Sequence, residues 1–206
     1  MIEIKNISKR FDDNIVFDHF SINIENGDFI VFSGDSGCGK TTLLNMIGGL
    51  EKPDSGSIVV DGVDICKNKN RQKYFAEKVG FLFQNFALVE GKTARQNLAF
   101  VRKADRTGIT IKEALENVGI SDKADIKVYK LSGGEQQRVA LARLMLKKCD
   151  IILADEPTGS LDDGNAQIVM NALHKINKQG KTVIIVTHNE KIIASSKKAV
   201  RLNESA

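Results

Sequence analysis

Cysteine is scarce in this chain: Cys38, Cys66 and Cys149 are the only three among 206 residues. An odd number at wide spacing argues against a disulfide framework and against a zinc-ligand pattern, and suits a reducing compartment. Proline is scarcer still, with two residues, and there is no proline-rich, repetitive or low-complexity tract, so neither disorder nor a linker-like organisation is expected. Long apolar runs are also missing. The longest stretches free of charge, residues 79–89 and 164–174, are eleven residues each, well short of the roughly 18 to 20 that a membrane-crossing helix needs. The opening MIEIKNISKR carries acidic Glu3 and no apolar segment followed by a small-residue cleavage site, so no signal peptide is expected. Charge of one sign is not concentrated. Thirty Lys and Arg against 26 Asp and Glu leave +4 spread along the chain, and without a basic block or tail nucleic acid is not an expected partner.

What remains is ordinary globular composition, 42% hydrophobic and 27% charged, in a length that suits one domain with a subdomain inserted. Three short apolar runs, residues 29–32, 151–154 and 183–186, are rich in β-branched and aromatic residues and do not alternate, the pattern of strands covered on both faces. Helical spacing separates them over residues 40–47, 135–147 and 166–178; in the last, Ile168, Val169, Ala172, Leu173 and Ile176 form an apolar stripe. These features predict an α/β fold with a mostly parallel sheet. The first 25 residues instead alternate with a period of two, Ile2 and Ile4 and then Ile22 and Ile24, which predicts an antiparallel sheet packed on the core. Between residues 84 and 131 no strong buried strand is evident, while 93–103 and 111–118 have helical spacing. The expected organisation is a single domain, with a core from residues 1–84 and 149–206 and a helical subdomain over 85–148.

Directly after the first buried run stands Gly34-Asp35-Ser36-Gly37-Cys38-Gly39-Lys40-Thr41-Thr42, which satisfies G-x-x-x-x-G-K-[ST] in the strand-to-helix setting that this motif requires. Glycines let the backbone curl so that the N–H groups of residues 37–42, Ser36 to Thr42 being the binding segment, can turn toward phosphate, and a helix N-terminus adds positive potential. Lys40 is expected to reach the β- and γ-phosphates of a nucleotide and the Thr41 hydroxyl to ligate Mg²⁺. The second run ends in Asp155 and Glu156. The first can hold Mg²⁺ through its water shell, and the second can polarise a water attacking the γ-phosphate. A third element, Leu131-Ser132-Gly133-Gly134-Glu135-Gln136-Gln137-Arg138, is a glycine turn opening a helix, hence either a second anion-binding end or simply a capped helix.

In these motifs, in their order, and in the Ala154-Asp155-Glu156-Pro157-Thr158-Gly159-Ser160-Leu161-Asp162 run, the sequence resembles the ATP-binding subunits of ABC transporters over essentially its whole length. That resemblance implies a P-loop, RecA-like core, ATP and Mg²⁺ as ligands, and a head-to-tail pair in which Ser132, Gly133 and Gly134 of one copy close over nucleotide held by the other. It also implies an integral membrane partner and a place on the cytoplasmic face of the cell membrane. Residue by residue, Gln84 matches a glutamine that touches Mg²⁺ and the attacking water and links the site to the helical subdomain. His188 matches a histidine on the γ-phosphate, and Asp162 lies in a loop facing the partner's site, or equally caps the following helix. Phe11 stands where the family places an aromatic, most often tyrosine, under adenine; it can stack but lacks the hydroxyl. Cys38 fills a variable cradle position and is given no catalytic role. The 18 residues after His188 hold one short helix and a last strand, so a regulatory extension of the kind some importer subunits carry is not expected. Residues 83–88, the Glu135 to Arg138 segment and Gly159-Ser160-Leu161-Asp162 are most similar to the macrolide-efflux, lipoprotein-release and antimicrobial-peptide or bacteriocin export and immunity type. A cell-division-type ATPase that signals mechanically without moving a solute is the alternative. A guanine-reading N-K-x-D tetrapeptide does not occur, which disfavours a GTPase. The apolar residues of 84–91 are either a docking surface for the membrane partner or subdomain core.

The cradle generates a first prediction. Lys40→Ala is expected to weaken ATP binding at least about a hundredfold, as for loss of a charge-assisted contact to phosphate, measured by titration calorimetry against the unmodified chain.

Overall fold

The computed structural model describes residues 1–202, and its architecture follows from burial of both faces of one sheet. Two antiparallel strands, β1 (Ile2–Phe11) and β2 (Asn14–Ile24), meet at a two-residue turn with Ile2 opposite Ile24 and Ile4 opposite Ile22. Then come β3 (Phe29–Ser33), α1 (Lys40–Ile47), β4 (Ser55–Val60), β5 (Val63–Asp64), α2 (Asn68–Glu77) and β6 (Val79–Leu82). The segment 85–148 supplies α3 (Ala94–Ala99), α4 (Ile111–Glu116) and α5 (Gly133–Leu146). The chain returns through β7 (Ile151–Asp155), α6 (Asp163–Lys178), β8 (Thr182–Val186), α7 (Glu190–Ser195) and β9 (Ala199–Arg201).

Strands β2-β1-β4-β5 form an antiparallel sheet, and β6-β7-β8-β3-β9 form a second sheet in which every neighbouring pair is parallel. The continuous apolar runs in β3, β7 and β8 make sense in this setting because alternate residues serve different cores. Ile30, Phe32, Ile151, Leu153, Ile184 and Val186 face a cluster shared with α1 and the antiparallel sheet. Val31, Ile152, Ala154, Val183 and Ile185 face a second cluster shared with α5 and α6. Helix α5 in turn packs against α3, α4 and α6, so it ties the helical segment to the sheet.

The expected helices and strands are present with small shifts at their ends, and three differences are informative. Helix α2 was not predicted: its sequence, NKNRQKYFAE, is polar on all sides, and the anchor it offers is buried Tyr74, whose hydroxyl donates to the Ile47 carbonyl at 2.9 Å. Ile168 leaves the expected stripe of α6; it is 40% exposed, while Val169, Leu173 and Ile176 are buried. In residues 84–91 the expectation of subdomain core is met by every second apolar side chain. Phe86 and Leu88 pack against the core, while Ala87 and Val89 are exposed. Among the described residues no helix is long and apolar enough to cross a membrane, and the three cysteines are free.

Phe32 is fully buried at the centre of the β3 layer. Phe32→Ala is expected to cost about 3–5 kcal/mol, the range for emptying a buried aromatic position, measured by urea denaturation of the nucleotide-free chain.

Candidate nucleotide site at the carboxyl edge of the parallel sheet

Ligands of open α/β sheets settle beyond the carboxyl ends of the strands, and here four adjacent strands end in the residues singled out from the sequence. β3 runs into Gly34, β6 into Gln84, β7 ends at Asp155 and is followed by Glu156, and β8 leads to Thr187 and His188. A cleft of about 890 Å³ opens over this edge, lined by Ser36, Gly37, Gly39, Lys40, Thr41, Thr42, Gln84, Glu156 and His188 together with Asp35, Glu190 and Arg201. That volume suits a ligand of nucleotide size.

The wall of the cleft is built from backbone. Gly37 and Gly39 both hold φ of 90°, and a Cβ on Gly39 would lie 2.3 Å from Val16 Cγ1 and 2.9 Å from Phe17 Cε2, so glycine is required there on two counts. The loop therefore presses against β2 at Gly39. Helix α1, which begins at Lys40, has neither a side-chain cap nor an acidic residue in its first turn. Helices α3 to α7 are all capped, by Thr93, Thr110, Ser132, Asp162 and Asn189. An uncapped helix start leaves N–H donors and the positive end of the dipole for an anion. Lys40 bends back over the loop, donating from Nζ to the carbonyls of Gly34 at 2.8 Å and Asp35 at 2.7 Å. Cys38 is turned inward and buried.

Opposite the loop, Glu156 is held in a left-handed conformation with φ of 43°, a cost of about 1–3 kcal/mol for a non-glycine residue. What holds it is a set of hydrogen bonds. Its N–H donates to Val186 O at 2.9 Å. Its carboxylate accepts from the Thr187 hydroxyl at 2.8 Å, from the His188 N–H at 3.1 Å and meets His188 Nδ1 at 2.7 Å. Thr187, fully buried, was missed in the sequence; the available signal was a polar residue directly after an apolar strand, one position beyond Val186, the partner of Asp155 on the neighbouring strand. Arg201 was missed as well, and nothing in its sequence surroundings marks it; its guanidinium stands 3.8 Å from the Asp35 carboxylate.

Not every expected residue reaches the cleft. Phe11 lies outside the lining, 46% exposed, with Lys9 Nζ 4.9 Å from its ring centroid. Ser132, Gly133, Gly134 and Asp162 are also outside it. Ser132 accepts from Glu135 N and donates its own N–H to the Glu135 carboxylate, a reciprocal capping box. Asp162 caps α6 through Asn165 N at 2.9 Å, and Asn165 also takes the Arg138 guanidinium. A Cβ on Gly134 would sit 2.7 Å from Asn165 Cγ, so the small residue lets the starts of α5 and α6 touch.

Asp155 is nearly inaccessible, and its carboxylate accepts from the Thr41 hydroxyl at 3.2 Å. Burial pushes its pKa up from the ordinary value; the Thr41 hydrogen bond opposes this, Glu156 adds to it and Lys40 opposes it. Two hard oxygen donors, one of them a carboxylate held at a desolvation cost, fit a small divalent cation such as Mg²⁺ completed by water. The raised pKa also carries a linkage sign. In the window between the unfolded and folded values the native chain binds more protons than the unfolded one, so this group's contribution to stability falls as pH rises through it. Asp155→Asn is therefore expected to raise the melting temperature of the nucleotide-free chain at neutral pH by a few degrees, with the gain shrinking on acidification, as followed by circular dichroism.

Comparison with known proteins agrees with this geometry. The family model described as ABC transporter matches residues 17–159. The chain is 38% identical over 211 residues to the macrolide export ATP-binding/permease protein MacB of Campylobacter jejuni, covering 99% of this chain but 33% of that protein, so it spans a third of the length of that relative. It is 36% identical over 216 residues to the ABC transporter ATP-binding protein YvrO of Bacillus subtilis, covering 99% of this chain and 94% of the other. The ABC transporter cassette MJ0796, solved as a dimer, superposes with a TM-score of 0.90 at 33% identity, covering 99% of this chain and 95% of that one. A further structure of the same cassette is of a post-hydrolysis state bound to ADP and Pi. A glycine-bearing loop running into an uncapped helix, a carboxylate pair at the sheet edge and similarity across nearly the full length thus lead to one conclusion: the chain belongs to the ABC transporter family, as an ATP-hydrolysing cassette.

Proposed function

We propose that the protein works as a head-to-tail pair enclosing two MgATP and drives a membrane permease that exports an amphipathic substrate, such as an antimicrobial peptide, a lipoprotein or a drug-like molecule. The observation that carries the pairing is the separation of the two glycine-bearing helix starts. The start of α1 lines the cleft with Glu156 and His188, whereas Ser132, Gly133 and Gly134 at the start of α5 lie outside that lining. A second copy turned head to tail supplies the missing half, with Ser132 and Gly134 on the γ-phosphate and Asp162 beside it.

Within one site, the backbone of residues 36–42 and the Lys40 ammonium hold the phosphates, and the exposed Phe11 ring is offered to adenine. Thr41, Asp155 and Gln84 would hold Mg²⁺, which when bound would neutralise phosphate charge. An ionised carboxylate has about four acceptor positions and no donor. Three on Glu156 are occupied by Thr187 and by the two His188 donors, which leaves one on Oε2 for the attacking water. Because the carboxylate only accepts, the same contact puts a hydrogen on Nδ1; Nε2 carries a second one only in the imidazolium form, the form that donates to a γ-phosphate oxygen. Gln84, exposed at the end of β6, lines the cleft from the side of the helical segment.

Export is supported by the name of the macrolide export relative, in which ATP-binding and permease parts share one chain. The permease would dock on the helical segment, where Val89, Phe100 and Tyr129 are 48%, 58% and 55% exposed, at the cytoplasmic face of the membrane.

Glu156→Gln is expected to bind MgATP, to lose at least about a hundredfold in turnover, as for removal of a general base, and to elute as a dimer in gel filtration with MgATP. Elution as a monomer at high protein concentration with saturating MgATP would overturn the pairing.

A further inference from the structure

Immediately after Gln84 the backbone does something the sequence does not announce. Phe86 and Ala87 are consecutive non-glycine residues with φ of 62° and 47°. The Ala87 N–H donates to Asn85 O at 2.7 Å, a three-residue turn around Phe86 in the sense that is rare and strained for L-residues. Such a turn persists only where its surroundings over-determine it. Here the surroundings are side chains that grip carbonyls. From α5, Arg143 donates through Nη1 to Ala87 O at 2.6 Å and through Nη2 to Phe86 O at 3.0 Å. From α3, fully buried Asn97 accepts from Val89 N at 2.8 Å and donates to Val89 O at 3.1 Å.

Arg143 makes no ion pair among the described residues, and burial lowers its pKa from the ordinary value. A half-buried cation without a carboxylate is costly, and what it receives in return is two carbonyls presented side by side by the left-handed turn. One turn later on the same helix end, Lys147 donates to Phe75 O in α2 at 3.1 Å and to Val79 O at the start of β6 at 2.6 Å. Two cations four residues apart therefore hold the chain before and after the strand that delivers Gln84.

We propose that Arg143 is a positioning residue for hydrolysis: its fork makes α5 and the turn after Gln84 one rigid piece, so that the place of Gln84 in the cleft follows the place of the helix that begins at Ser132. The inference rests on the assignment of Gln84 to the hydrolysis site. Movement of the helical segment would then reach the cleft through Arg143, and a permease resting on exposed Ala87 or Val89 would press on a piece already joined to both.

The test uses the full chain and two readouts. In Arg143→Met, amide exchange of the peptide covering residues 84–91 is expected to quicken roughly tenfold, with exchange in α1 unchanged. Turnover is expected to fall roughly tenfold or more with KM for ATP within about threefold, the signature of a misplaced group and not of lost binding. Arg143→Lys, which keeps the charge and guards against a Met variant that does not fold, is expected to fail as well, because an ammonium is a point donor and cannot serve two carbonyls as a fork does. Adding Ala87→Gly to Arg143→Met is expected to restore part of the turnover, since glycine takes a positive φ without steric cost. Unaltered exchange over 84–91, full turnover in Arg143→Met, or full rescue by lysine would each overturn the proposal. Undiminished turnover in Gln84→Ala would instead sink the assignment of Gln84, a result distinct from the exchange data.

Discussion

The site depends on the register between two parallel strands. Asp155 pairs with Val186 where β7 and β8 end together, and the next residue of each strand must then turn toward the other. Glu156 does so in a left-handed conformation, its N–H on Val186 O and its carboxylate on Thr187 and His188. Side chains alternate along a strand, so a slip of one residue would send every buried side chain of β7 to the opposite face and part these groups. Burial of both faces forbids that slip. Ile151 and Leu153 are committed to the cluster with α1, Ile152 and Ala154 to the cluster with α5 and α6. The apolar core thereby sets the spacing of polar groups at the edge, and the strain at Glu156 is supported by packing far from the cleft.

The helical layer shares one apolar cluster with this sheet and adds polar contacts to it. Helix α5 spans the two roles: its start carries Ser132 and Gly134, and its later turns carry Arg143 and Lys147 against the carbonyls flanking β6 and Gln84. The same helix start touches Asn165, whose backbone is capped by Asp162. The groups proposed to face a second copy are thus joined within one chain to the group proposed to sense the cleft. Coupling of this kind needs a physical connection with discrete contacts, and these hydrogen bonds are such a connection.

Much of this was legible in advance because the carriers are local patterns. A glycine-rich loop between a buried strand and a helix, two carboxylates after a strand, and a capping sequence before an amphipathic helix each keep their meaning wherever the chain takes them. The antiparallel pairing of β1 and β2 was legible from period-two burial alone. Helix α2 was not, because a helix polar on all sides has no period to read. The left-handed turn at Phe86 and Ala87 was hidden for the opposite reason: both residues fit an apolar run, and only the carbonyl ligands contributed by α5 and α3 hold the backbone in that shape.

The amino-acid sequence by itself determined the strands buried on both faces, the glycine loop that leads into an uncapped helix, and the residue types available at each strand end, since these follow from hydrophobic period, glycine freedom and donor chemistry within a few residues. The tertiary structure alone decided which of those ends lie side by side. It placed Thr187 under Glu156, left Ser132 and Gly134 outside the cleft that holds Lys40, and put Arg143 on the turn beyond Gln84. Each is a contact between residues distant in the chain, and such contacts are fixed by strand order and helix packing, which no local pattern encodes.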